Sequence, residues 1–124
     1  MNIEELRDYC LSMDGVTEKT PFGRFSPRFN STLVFYVLDH MFCMVDIDNF
    51  TSISFRSTPE EIEEIKCQYI SSHNPHNQAM KFWICVNLNE DMSDSKIYSY
   101  VSRAYDIVKD KYTKKNKKIN KSLI

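Results

Sequence analysis

Residues 33–56 read LVFYVLDHMFCMVDIDNFTSISFR, and the reading of this stretch decides the fold class. Leu33 to Leu38 is rich in β-formers, Asp39-His40 is a candidate two-residue turn, and Met41 to Ile47 alternates until Asp48-Asn49 breaks the run. The pattern predicts a hairpin, although its turn lacks the glycine that such turns favour. Thr51 to Arg56 supplies a third strand, with Ile53 and Phe55 on one face and Ser52, Ser54 and Arg56 on the other. One side of the sheet is therefore covered and the other meets water.

Working outward, Ile3, Leu6, Cys10 and Met13 recur at helical spacing behind Asn2, and Glu5 three residues later completes a capping box. Asp14-Gly15 ends that helix, and Val16 to Thr20 enters a short extended segment. Pro21 to Ser31, with two prolines, a glycine and three phenylalanines, reads as a loop with apolar surface to bury. On the other side, Thr58-Pro59-Glu60-Glu61 is a strong helix start, and the helix packs Ile62, Ile65 and Tyr69. Ser71 to Gln78 is polar and irregular. Lys81 to Leu88 alternates bulky groups on both faces and is expected to be a central strand. Ile97, Val101, Ala104, Tyr105, Val108 and Tyr112 then trace the apolar stripe of a last helix. The expectation is a single α+β domain over residues 1–112, with helices gathered on one face of a mainly antiparallel sheet. Residues 113–124, with five Lys and no acid, are expected to form a flexible tail.

The chain has 124 residues, 42% hydrophobic and 27% charged, enough for one core burying roughly two-thirds of its unfolded surface. Its formal net charge of −1 conceals a division. Residues 96–124 carry nine Lys or Arg against two Asp or Glu, while residues 1–95 carry seven against fifteen. An acidic body argues against polyanion binding by the body as a whole, and a basic end argues for it. The longest apolar run is far too short to cross a bilayer, and the opening residues are acidic without an apolar block, so a cytoplasmic location is expected. Cys10, Cys43, Cys67 and Cys85 include no C-x-x-C pair and are expected to be reduced thiols among apolar neighbours.

Two glycines, Gly15 and Gly23, exclude the Gly-rich phosphate cradles and the nucleophile elbow, each of which needs several close together. His73 and His76 stand at His-x-x-His spacing without a third ligand nearby in sequence. Asp46 and Asp48 offer two carboxylates but, followed by Asn49, read as a turn. Glu60 to Glu64 fall in the first turns of a helix, where negative charge complements the dipole. No catalytic residues, metal ligands or cofactor are assigned. Trp83, beside Lys81, is read as a core anchor, with a stacking platform as the alternative.

Glu4-Glu5-Leu6-Arg7-Asp8-Tyr9-Cys10-Leu11, then Gly15-Val16-Thr17-Glu18 and Pro21-Phe22-Gly23, resemble the opening of the MmcQ/YjbR family. Lys81-Phe82-Trp83-Ile84-Cys85-Val86 and Ala104-Tyr105-Asp106-Ile107-Val108 are similar to its tryptophan strand and closing helix. The resemblance implies a compact α+β fold of the CyaY-like or secretion-chaperone-like kind. It also implies a DNA-binding role, a description that rests on fold analogy. His40, Phe82 and Ala104 depart from the family's usual Lys, polar or His, and Ser. The expectation is a non-enzymatic DNA-binding protein whose candidate contacts are Arg24, Arg28, Arg56, Lys81, Trp83, Lys114, Lys115, Lys117 and Lys118. The alternative is a protein-interaction or chaperone-like module, using the aromatic loop from Pro21 to Phe29 to meet a protein partner.

Overall fold

Asn2 caps the first helix, α1 (Ile3–Ser12): its side chain accepts the Glu5 amide at 2.8 Å while the Glu5 carboxylate accepts the Asn2 amide at 3.2 Å. Gly15, at φ 76°, turns the chain into β1 (Thr17–Lys19), and one 3-10 turn follows at Pro21–Arg24. The computed structural model describes residues 1–24, 31–75 and 80–122, with side chains for 1–22, 31–75 and 80–113. The remaining elements are β2 (Thr32–Val37), β3 (His40–Asp46), β4 (Ser52–Arg56), α2 (Pro59–Gln68), β5 (Ser72–His73), β6 (Trp83–Asn87) and α3 (Asp94–Ser122).

The strands form one six-stranded sheet in the order β1-β2-β3-β4-β6-β5, every pair antiparallel. All three helices cover the same face. Leu33, Phe35, Val45, Ile53, Phe55, Ile84 and Val86 from the strands share a buried cluster with Leu6 and Cys10 of α1, Ile62 and Ile65 of α2, and Ile97, Val101 and Val108 of α3. Each of the fully buried Phe35, Phe42 and Phe55 contributes about 1.5–3 kcal/mol of transfer free energy. None of the helices, among the described residues, is long and apolar enough to cross a membrane.

The domain class, the helix caps, the common face for the helices and the interior position of β6 agree with the expectations from sequence. Three local readings change. The hairpin turns at Leu38-Asp39, with φ of 50° and 64°, and His40 pairs with Val37 instead of forming the turn. Val37 is 2% exposed and stays in the ladder, so the reversal falls on the next two residues. Asp tolerates the left-handed region at modest cost, whereas Leu38 accepts it under strain. Within the stretch read as irregular, Ser72-His73 forms a short strand on the free edge of β6.

The third change concerns the C-terminal boundary. Tyr112, placed at the end of the last helix, does stack on His40 with ring centroids 3.3 Å apart. The helical backbone nevertheless continues to Ser122. Residues 113–122 contain neither Gly nor Pro, Lys is a good helix former, and cations are favoured at a helix C-terminus.

Candidate functional site

The helix-free face of the sheet follows from the alternation of the strands. Register places Lys19, Val34, Met44, Ser54, Cys85 and His73 in one row across all six strands, opposite the face that packs on the helices. Beside this row, Arg56 of β4 pairs with Trp83 of β6. Val34, Trp83 and Cys85 are buried on this side, at 0%, 7% and 8% exposure. Lys19 and His73 are exposed at its two edges, and Met44, Ser54 and Arg56 are partly exposed between them.

The β4–β6 end of this face gathers the most chemistry. The Arg56 guanidinium lies 5.2 Å from the centre of the Phe82 ring, and the Ser57 amide donates to the Phe82 carbonyl at 2.7 Å, fixing the two strand ends together. Lys81 is exposed in the preceding turn. Arg56 Nε is shielded from solvent and finds no hydrogen-bond acceptor among the described residues, and no carboxylate pairs with Arg56 among them either. The cation is held by an aromatic face instead of an acid.

Acidic residues are distributed quite differently. β2, β4, β5 and β6 contain none, and Asp46 ends β3, where its Oδ1 accepts the amides of Asp48 and Asn49 at 3.0 and 3.2 Å. Asp46 and Asp48 therefore form the turn read from sequence and do not act as paired carboxylates. Glu18 of β1 pairs with the core-side Phe35 and meets Arg7 of α1, whose Nε donates to it at 2.9 Å. This hydrogen bond from Arg7 holds the Glu18 carboxyl below its ordinary pKa. Most other acids lie on the three helices. Between α2 and α3 is an open polar groove of about 430 Å³ lined by Glu60, Glu61, Glu64, Lys96, Tyr100 and Arg103 among others. Its one buried acid, Glu61, accepts from Arg103 Nε at 2.6 Å, which closes the contact between the two helices.

In the central row, Ser54 Oγ and Cys85 Sγ are 2.8 Å apart, and His73 Nε2 lies 3.2 Å from Asn87 Oδ1. Burial pushes the Cys85 thiol above its ordinary pKa, so it is a poor nucleophile at neutral pH. At the β1 edge, Lys19 Nζ is 5.4 Å from the centre of the Tyr36 ring, and burial raises the Tyr36 phenol.

Of the nine residues expected to contact DNA, Arg56, Lys81 and Trp83 come together at the β4–β6 end. Trp83 is 7% exposed on the helix-free side, outside the cluster that packs against the helices, and leaves too little open ring for a stacking platform. Arg24 ends the 3-10 turn, with its side chain outside the described set. Arg28 and the aromatic loop residues Phe25 and Phe29 lie outside the described residues, as does His76. Lys114, Lys115, Lys117 and Lys118 fall on the helical extension of α3, again with side chains outside the described set. Sequence reading did not select Phe82. It lies one residue before the ladder of β6, where strand alternation no longer says which way a side chain faces.

The YjbR family model matches residues 11–107. The chain is 26% identical over 106 residues to the uncharacterized protein YjbR of Escherichia coli K12, covering 85% of each chain. The YjbR protein of the O157:H7 strain matches to the same extent. Among solved structures, the Deinococcus radiodurans protein DR2400, with its DUF419 domain, superposes with a TM-score of 0.74 at 24% identity, covering 86% of this chain and 78% of that one. A Pseudomonas syringae protein superposes with a TM-score of 0.67 at 17% identity, covering 86% and 98%.

Proposed function

The chain belongs to the YjbR family, and on that premise we propose that it is a small non-enzymatic protein that contacts DNA phosphates with the helix-free sheet face and the Lys-rich end of α3. The observation that carries this reading is Arg56, a partly buried guanidinium with no acid to neutralise it among the described residues, on a strand that carries no carboxylate and beside β6, which carries none either. An unneutralised, partly desolvated cation is costly, and an incoming phosphate relieves that cost. Lys81 stands beside it, and the helical backbone past Tyr112 strings Lys114, Lys115, Lys117, Lys118 and Lys121 along roughly 10 Å of axis. Phosphates recur every ~1.7 Å along a duplex, so this spacing suits backbone contacts that position the protein without reading sequence.

The acids of α1 and α2 lie on the far side of the sheet, where screening over about 10 Å at ordinary ionic strength weakens their repulsion of a bound strand. The reading is tested by fluorescence anisotropy of the full chain on random-sequence duplex DNA. Binding through about six phosphate contacts weakens by about a thousandfold between about 50 and about 200 mM salt. Absence of binding at the lower salt removes the proposal.

A further inference from the structure

We propose that Phe82 and Arg56 form a stacking platform for an unpaired base, which makes single-stranded DNA the preferred ligand of the sheet face. This deepens the DNA-contacting reading and rests on it. Phe82 is 44% exposed and is the only exposed Phe, Tyr or Trp among the described side chains, whereas Phe35, Phe42 and Phe55 are fully buried. Its backbone carbonyl has a structural task in joining β4 to β6 through Ser57, but nothing in that hydrogen bond requires an aromatic side chain. One face of the ring lies under the Arg56 guanidinium, and the exposed remainder offers π surface to a ligand.

The surroundings select the occupant. Arg56 and Lys81 are cations without a carboxylate partner among the described residues, so an aromatic ligand carrying negative charge complements the site better than a neutral or basic one. In a duplex each base is already stacked and paired, leaving no base face for Phe82 to meet. In a single strand the base stacks on the ring while its phosphate reaches Arg56 or Lys81. Stacking of this kind accepts any base, because each has a π face.

The experiment compares labelled oligothymidine with a random duplex of equal length, titrated with the full chain at one intermediate salt concentration. The single strand is expected to bind more tightly. Phe82→Ala is expected to weaken single-strand binding by about fivefold to a hundredfold and duplex binding by much less, through the Arg56 guanidinium it supports, and Phe82→Trp to preserve the preference. Because Phe82 is exposed, the tryptophan variant keeps the test meaningful should the alanine variant fold poorly. Equal or stronger binding of the duplex, or equal losses on both ligands with Phe82→Ala, overturns the stacking platform and leaves phosphate binding standing. Failure of both ligands to bind overturns the DNA-contacting reading together with it.

Discussion

Separating the two cationic regions is a matter of counting charges in a salt titration. Each phosphate neutralised on a duplex contributes about −0.9 to the slope of log affinity against log salt. Replacing Arg56 and Lys81 with Gln removes two cations and is expected to flatten the slope by about 1.8. Replacing Lys114, Lys115, Lys117 and Lys118 with Gln removes four, for a change of up to about 3.6. Over a fourfold rise in salt, the two sets account for roughly 12-fold and roughly 150-fold of the lost affinity, and their product, roughly 1,800-fold, has the order of magnitude of the thousandfold loss for six contacts. Gln is the right replacement in α3 because it keeps helix propensity, whereas cutting the chain after Tyr112 would interrupt a helix that continues to Ser122. The assay is anisotropy at several salt concentrations, with circular dichroism melting of each variant to establish equal folding. A doubly substituted sheet variant with the parent slope refutes the assignment of Arg56 and Lys81. A quadruply substituted variant with the parent slope refutes a role for the extension.

Three further outcomes follow from particular contacts. Thr58→Ala removes the side-chain acceptor for the Glu61 amide at 3.2 Å and is expected to destabilise the fold by about 1 kcal/mol, read as a lowered thermal midpoint. The Glu18 carboxyl has a folded pKa below its ordinary 4.5 because Arg7 donates to it, so its contribution is present above that value and is lost as pH falls through the lower folded pKa. Glu18→Gln should therefore reduce the acid-side loss of stability in melts taken from pH 6 downward, and an unchanged acid limb would contradict this. Cys67 is exposed while Cys10, Cys43 and Cys85 are buried, so a colourimetric thiol reagent should titrate one cysteine rapidly in the native protein and the other three only on unfolding. Rapid reaction of Cys85 would contradict its buried, high-pKa environment.

Alternation in Thr51 to Arg56 placed Ile53 and Phe55 inward and Arg56 on the opposite side, because a strand has a period of two and a half-covered sheet has one apolar face. The caps at Asn2 and Thr58 were legible because capping uses side chains within three residues. The Leu38-Asp39 reversal was less so: local preference favoured Asp39-His40, while the decisive demand was the burial of Val37 against helices far away in sequence. Ser72-His73 pairs only because β6 leaves an edge beside it, and two polar residues carry no periodic signal. The continuation of α3 was hidden because its apolar stripe ends near Tyr112, although backbone helicity needs no apolar stripe when Gly and Pro are absent.

The separation of charge across the sheet has two physical origins, and they bear differently on function. Glu4 and Glu5 stand in the first turn of α1, and Glu60 and Glu61 in the first turn of α2, where helix dipoles favour negative charge. Much of the acidic character of the helical side is thus explained by helix stability alone, and the scarcity of acids on the opposite sheet face, where Asp46 stands at the end of β3, follows partly as its counterpart. Arg56 is not explained in this way. Its Nε is withdrawn from water without an acceptor among the described residues, which costs about 1–3 kcal/mol, and a Thr or Ser on the same half-covered strand face would avoid that cost. The same residue meets the exposed ring of Phe82 and the register position of Trp83. Arg56, with its Nε shielded from water, therefore points to a bound anion more strongly than the basic extension does, since a Lys-rich helix end is also what solubility and the dipole would favour.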